Sequence, residues 1–211
     1  MPVELRSYVF IDSYQPQLAS FIATVAKGFL PVQHQAALFV EIAPGLDIER
    51  VMDIALKATG VRPAMQIVER AYGMLEVHAE SQADVRQAGA AILDALGMKQ
   101  EDRLRPKVMT SQVIRHVDDY QTQLINRMRH GNMLLGGQTL YLLETDPAGY
   151  AAFAANEAEK AADINILEVR AFGRYGRVYL GGEEADVVVA SEAAERAIEG
   201  VTGAEHERGT E

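Results

Sequence analysis

Apolar and polar positions alternate along this chain in short runs, interrupted by segments where apolar residues recur every three or four positions. Leu5 to Ile11 (LRSYVFI) is rich in aromatic and β-branched residues and reads as a strand. Tyr14-Gln15-Pro16-Gln17 opens a helix, with Pro in the first turn where its missing N–H costs nothing. Leu18, Phe21, Ile22 and Val25 fall at helical spacing, and Gly28 is read as the helix end. Ala37 to Ile42 (ALFVEI) is a second strand, stopped by Ala43-Pro44-Gly45. Asp47 is placed to cap the next helix, whose apolar face is Val51, Ile54, Ala55 and Ala58, with Gly60 as its stop. Two strands, Ala64 to Val68 and Met74 to His78, then flank Glu69-Arg70-Ala71-Tyr72-Gly73. Ser81-Gln82-Ala83-Asp84 has the form of a capping box and starts a helix through Val85, Ala88, Ile92 and Leu96, closed by Gly97. The order is strand, helix, strand, helix, strand, strand, helix.

Beyond a charged, Pro-containing stretch, Glu101 to Pro106, the same order begins again. Val108 to Arg115 is a strand, Tyr120-Gln121-Thr122-Gln123-Leu124 echoes Tyr14 to Leu18 at the start of a helix ending at Gly131, and Leu140 to Glu144 precedes Thr145-Asp146-Pro147. Adding 103 carries Gly28 to Gly131, Glu41 to Glu144, Pro44 to Pro147, Lys57 to Lys160 and Tyr72-Gly73 to Tyr175-Gly176. One offset held over so long a stretch marks a tandem duplication of an α/β unit of about 100 residues. The expected domains are 1–104 and 105–211. Glu184 to Ile198 is helical by composition, and the polar tail from about 203 to 211 is expected to be disordered.

The copies differ where strand meets strand. Glu69-Arg70-Ala71 in the first corresponds to Phe172-Gly173-Arg174 in the second. An acid and a base adjacent at a strand end point to opposite sides of the backbone. They are poor partners for one another, but each can meet a copy of the other across a symmetry axis. A solvated loop with two ordinary charges is the plain alternative.

Composition narrows the functional classes. The 211 residues are 48% hydrophobic and 24% charged, ordinary for a soluble globular chain. A formal charge of -10 argues against a phosphate-backbone partner, and Arg127-Met128-Arg129-His130 is too short to reverse that. With no Cys there are no disulfides, thiolate metal sites or thiol nucleophiles, which fits a reducing cytoplasm. No run approaches the roughly 18 apolar residues of a membrane span, and the N-terminus lacks the apolar core of a signal peptide.

Catalytic chemistry needs convergent groups, and none stands out. His34, His78, His116, His130 and His206 are scattered without metal-ligand spacing, and His78 reads as an exposed or satisfied polar residue. Leu134-Leu135-Gly136-Gly137-Gln138 is turn-like but lacks a phosphate-loop Lys, and Ser81 and Ser191 lack a nucleophile-elbow context. Glu183-Glu184 and Glu192 with Glu195 belong to polar helix faces. No metal, cofactor or enzymatic activity is expected.

Four segments of the first half carry a resemblance: Tyr14-Gln15-Pro16-Gln17-Leu18, Val40-Glu41-Ile42-Ala43-Pro44-Gly45, Ala55-Leu56-Lys57-Ala58-Thr59 and Val68-Glu69-Arg70-Ala71-Tyr72-Gly73. In the second half it is carried by Gln123-Leu124-Ile125-Asn126-Arg127 and by Pro147 to Ala151 with Ala154 to Ala162. Together they resemble bacterial microcompartment (BMC) shell proteins, most closely the tandem-domain, circularly permuted class whose trimers mimic hexamers. The resemblance implies an α+β, ferredoxin-like fold in each copy, with a mainly antiparallel four-stranded sheet flanked by helices. It implies a homotrimer tiling with hexameric and pentameric shell proteins in the bacterial cytoplasm, stacking of two trimers, and no membrane or nucleic-acid partner. In that class the Glu-Arg pair lines a large central pore with open and closed forms, so Glu69 and Arg70 are the implied gate for small metabolites. Phe172, Gly173 and Arg174 are expected to reach the same region. Lys57 and Lys160 are implied edge contacts between oligomers, with a solvated helix Lys as the alternative, while Asn156 and Arg127 are candidates for interfaces within or between trimers. A different reading is a trimeric small-molecule-binding regulatory protein of ferredoxin-like fold, distinguished by a cleft-bound ligand rather than sheet formation and a central hole.

Overall fold

A computed structural model describes residues 3–206. Along the chain run β1 (Glu4–Ile11), α1 (Pro16–Val25), β2 (Ala36–Ala43), α2 (Ile48–Ala58), β3 (Arg62–Glu69), β4 (Tyr72–Ala79) and α3 (Gln82–Leu96). The second series is β5 (Lys107–Ile114), α4 (Asp119–Met128), β6 (Thr139–Asp146), α5 (Tyr150–Ala161), β7 (Asn165–Arg170), β8 (Gly176–Gly182) and α6 (Glu184–Glu199). The strands form two four-stranded sheets of identical order, β1-β2-β4-β3 and β5-β6-β8-β7, antiparallel throughout. The duplicated α+β fold expected from the sequence is the observed one. No helix among the described residues is long and apolar enough to cross a membrane.

The offset of 103 holds residue by residue in the backbone. Gly28 donates to Ala64 O at 2.8 Å and Gly131 to Leu167 O at 2.9 Å. A Cβ on either glycine would lie 2.3 Å from a strand carbonyl, that of Pro63 or Ile166. Gly28 is thus not the end of α1, which stops at Val25. Close approach of the loop to β3 is what demands the missing side chain. The similarity of Tyr120–Leu124 to Tyr14–Leu18 is compositional, since α1 starts at Pro16 and α4 at Asp119, which makes Gln17 the counterpart of Tyr120. Likewise α2 ends at Ala58 rather than at Gly60, and Asp47 at its start makes no side-chain cap. Ser81 does cap α3, accepting from Asp84 N–H, and Gly97 closes that helix at φ +67°.

Each sheet face is buried to a different degree. In the first copy α2 and α3 cover one face through Leu5, Leu38, Val40, Ile42, Leu75 and Val77. The opposite face joins a cluster running from α1 through Phe39 and Met74 into Tyr141, Tyr150 and the alanines of α5. The two copies therefore share one continuous core. On the α4 side of the second sheet only Val117, Leu134, Leu140 and Leu167 are buried together.

The segment after α6 departs from the expected disorder over 203–206. Ala204 exchanges backbone hydrogen bonds with Arg103 and Arg105 at 2.8 Å, and His206 donates to Arg105 O at 2.7 Å. Polar composition gave no sign of this because the Ala204 contacts are made by backbone groups. Residues 207–211, the rest of that expectation, lie outside the described residues.

Candidate functional site

The hairpin β3–β4 turns through Arg70 and Ala71, with Glu69 paired to Tyr72 across it. Arg70 takes φ +54°, a left-handed conformation that costs a side-chain-bearing residue roughly 1–2 kcal/mol. Its counterpart Gly173 sits at φ +97° in the loop between β7 and β8. Both copies thus take a positive φ at the equivalent position, in a tight turn in the first and a longer loop in the second. The second meets it with glycine, whereas the first spends strain to present an exposed guanidinium.

These two loops, separated by about 100 residues in sequence, meet in space. Both carboxylate oxygens of Glu69 lie 3.3 Å from where a Gly173 Cβ would stand, so the acid occupies room that only glycine leaves. Arg174 donates to Tyr72 Oη at 3.3 Å and stacks 5.0 Å above the ring centre of Tyr175. Phe172 lies under Arg170, 5.3 Å from ring centre to guanidinium carbon. The structure therefore gathers Glu69, Arg70, Phe172, Gly173 and Arg174 at one edge of the molecule. Glu69 and Phe172 are half-buried, and Arg70 and Arg174 are exposed.

Behind the loops lies a buried charged cluster that the sequence reading missed. Arg6 donates from Nε to Glu41 at 2.9 Å and from Nη2 to Asp146 at 3.0 Å, and its guanidinium stacks 3.7 Å over Tyr72. Glu41 also accepts from Gly149 N–H at 3.0 Å. Asp146 in turn lies 3.5 Å from Arg174 and 3.8 Å from His206. Burial pushes the Glu41 carboxyl up, opposed by Arg6 and the Gly149 N–H. For Arg6, burial works against the charge but the attraction of Glu41 prevails and raises its pKa, so the guanidinium stays protonated. The cluster spans both copies and touches both loops through Tyr72 and Arg174, fixing the second loop in place. A Glu inside the apolar run ALFVEI was the available signal.

A second buried group is confined to the first copy. Tyr14 Oη donates to Glu76 at 2.8 Å, Ala64 N–H donates to the other oxygen at 2.9 Å, and His78 Nδ1 lies 3.2 Å away. His78 is therefore satisfied but not exposed, at 1% accessibility. The corresponding second-copy residues, Val117, Tyr179 and Gly181, carry no such set.

Of the remaining candidate residues, two fall at the junction between the copies and two on the surface. Asn156 is fully buried, accepts from Gln15 N–H at 3.0 Å and donates to Ser13 O at 3.3 Å, which joins the copies. Lys160 does the same, bonding Asp12 at 2.8 Å and Glu157 at 2.9 Å. Its counterpart Lys57 is exposed and holds its helix neighbour Asp53 at 2.7 Å. Arg127 is exposed on α4. Beside the loops a cleft of about 670 Å³ opens between the copies, bounded by Lys27, Met52 and Ile67 on one side and His130, Arg170 and Phe172 on the other.

A family model for the CsoS1D N-terminal domain matches residues 5–102. The carboxysome shell protein CcmP of Synechococcus elongatus is 58% identical over 206 residues, which cover 98% of this chain and 97% of the relative. The carboxysome shell protein CsoS1D of Hydrogenovibrio crunogenus is 50% identical over 201 residues, 95% of this chain and 98% of the relative. Among solved structures, the fused permuted hexameric shell protein MSM0275 from the RMM microcompartment superposes with a TM-score of 0.93 at 47% identity, covering 95% of this chain and 99% of that one. The double ringed trimeric shell protein MSM0271 from the same microcompartment gives 0.93 at 40% identity, with 97% and 100% covered. The family model covers the first copy, and the similarities to the relatives and solved structures run through both copies.

Proposed function

This chain belongs to the tandem BMC-domain carboxysome shell proteins of the CcmP and CsoS1D type, and from that premise we propose that it builds a gated pore in a microcompartment shell within the bacterial cytoplasm. Its role is structural and permeability-related rather than catalytic, as the shell-protein names of its relatives support. Residues 1–104 and 105–211 form the two BMC domains. Three chains make a pseudohexameric ring that tiles with other shell oligomers. Lys57 stands towards its edges, Lys160 and Asn156 join the two copies within each chain, and Arg127 serves its outer contacts.

One observation carries the gate: Glu69 and the strained, exposed Arg70 share an edge with Gly173 and Arg174, loops from two copies converging on one place. Around a three-fold axis three Arg70 side chains repel one another unless counter-charge intervenes. Glu69 of a neighbouring chain supplies that charge when the side chains point inward and occlude the hole. Swinging Arg70 outward opens it for small metabolites. The two arrangements exchange one set of partners for another, so a ligand or a second stacked ring can bias them.

Single-particle images of the purified assembly test this reading. The wild type should show a central aperture in two classes, narrow and wide, and Glu69→Ala with Arg70→Ala should leave only the wide class. An axis with no aperture in either protein would overturn the gate.

A further inference from the structure

The segment after α6 returns along the linker between the copies. Ala204 lies parallel to Leu104, Arg103 donates to Thr202 O at 3.0 Å, and a Cβ on Gly203 would stand 2.3 Å from Arg103 O. Leu104 is buried, and its carbonyl accepts from Tyr150 Oη at 2.8 Å, which ties this strap to α5. The strap brings in His206, whose side chain is only 13% exposed. Both ring nitrogens of His206 face oxygen acceptors: Nε2 lies 2.7 Å from Arg105 O, and Nδ1 lies 3.8 Å from Asp146 Oδ2. A carbonyl only accepts, so Nε2 carries the hydrogen. The neutral ring then turns a bare nitrogen lone pair towards a carboxylate, and only the doubly protonated ring has a donor for each.

The two oxygens of Asp146 are unequally engaged. Oδ1 accepts from Arg6 at 3.0 Å, and Arg6 is held further by Glu41 at 2.9 Å and Glu4 at 3.6 Å. Oδ2 faces Arg174 of the β7–β8 loop at 3.5 Å and His206 of the strap at 3.8 Å. Firm charged hydrogen bonds run to about 2.7–2.9 Å, so neither group holds Oδ2 outright. The other charges at hand, Arg105 and Glu205, face each other at 3.7 Å. Tyr72 stands between the two arginines, stacked on Arg6 and accepting from Arg174. Of the two arginines only Arg174 is free to turn into water, since its side chain is 58% exposed and that of Arg6 is buried. The first-copy equivalent of Asp146 is Ala43, so this shared carboxylate belongs to the second loop alone.

We propose that His206 is a positioning residue for the β7–β8 loop, competing through its charge with Arg174 for Asp146 Oδ2. With the ring neutral, Oδ2 is left to Arg174 and the loop is held against the cluster. When the ring gains its second proton it donates to Oδ2, and Arg174 turns outward, loosening Phe172 and Gly173 beside it. The competition itself needs only one chain. Its consequence rests on the gated-pore reading above: acidification between pH 8 and pH 5 releases one of the two loops at the hole.

The chain contains no Trp, so Phe172→Trp places a single fluorescent reporter in the loop. Acrylamide quenching of that reporter in the purified assembly is expected to rise roughly twofold from pH 8 to pH 5. Adding His206→Gln, which keeps a donor for Arg105 O but takes no charge, should hold quenching at the low level at both pH values. Adding His206→Lys, charged throughout this range, should hold it at the high level at both. His130 borders the same cleft as Phe172, so His130→Gln is the control and should keep the rise. Quenching that does not change with pH, a rise that survives His206→Gln, or a rise lost in His130→Gln each overturns the role of His206. Single-particle images of the same samples separate this from the gate. The wide class should gain at pH 5 with His206 present and not with His206→Gln. Two aperture classes with quenching indifferent to pH would leave the gate standing and remove His206 from it. A rise in quenching that depends on His206, with no aperture in any sample, would uphold its control of the loop and overturn the gate.

Discussion

In the first copy α1 borrows its N-terminal cap from Glu159, lies over β7 of the second copy, and has Phe21 buried. In the second copy the equivalent α4 caps itself with Asp118 and leaves Tyr120, Leu124 and Met128 in water. The backbones repeat while the side chains diverge according to what stands opposite. A duplicated fold thus keeps its framework and rewrites its interfaces, since backbone hydrogen bonding is indifferent to sequence and side-chain contacts are not. The two strand-end loops obey the same rule. One left-handed position is filled by Arg70 in the first copy and by Gly173 in the second.

The sharpest way to break this comparison is to give the in-chain junction the chemistry of the outer face. Arg6→Met introduces the residue found at position 109, but it leaves Glu41 and Asp146 buried without their cation. We expect a loss of about 3–5 kcal/mol in urea unfolding. Neutralising both acids in the same chain (Glu41→Gln, Asp146→Asn) should recover more than half of it. Recovery of nothing would mean that Arg6 acts through packing on Tyr72 rather than through charge.

Next in size is Gly173→Ala, for which we expect a loss of about 1–2 kcal/mol from the left-handed backbone. The added Cβ would meet the Glu69 carboxylate, so the crystal structure of the variant should also show that side chain displaced. The converse change, Arg70→Gly, should stabilise the fold by up to about 1 kcal/mol, less than the strain relieved because an unfolded glycine is more flexible. Destabilisation there would show that Arg70 is held by contacts its counterpart lacks.

The smallest effect concerns the junction pair of Asp12 and Lys160, whose counterparts Arg115 and Lys57 are both cations. The hydrogen bond from Lys160 holds the Asp12 carboxyl below 3.8, so its stabilisation is present above that value and lost as pH falls through the lowered folded one. Bonds from Asp12 and Glu157 outweigh burial and hold Lys160 above 10.5, so its share is present below 10.5 and lost as pH rises through the raised value. Asp12→Asn should lower the melting temperature by about 1–3 °C at neutral pH, and the difference should close below pH 3.8. A difference unchanged at pH 3 would remove the ion pair as its cause.

Much of the fold was legible because it depends on local signals. Short runs rich in aromatic and β-branched residues gave the strands, helical spacing gave the helices, and the constant offset gave the duplication. The Glu-Arg turn was legible as a strand end with opposed charges. The cluster of Arg6, Glu41 and Asp146 was not, because its members lie 35 and 140 residues apart in sequence. Only the incongruity of Glu41 within an apolar strand marked it. The attachment of Ala204 to Arg103 and Arg105 was hidden for a different reason, since it uses backbone groups that every residue carries.

By itself, the sequence determined the two α/β units, their equivalence residue by residue and the places where their loops differ. Hydrophobic periodicity and turn residues act over a few positions, and a duplication leaves its offset in the letters. Only the tertiary structure decided that Glu69 lies against Gly173, that Glu159 caps a helix in the other copy, and which apolar side chains remain uncovered. Those outcomes depend on distances between residues about 100 or more positions apart, which the packing of the two sheets sets and no local pattern encodes.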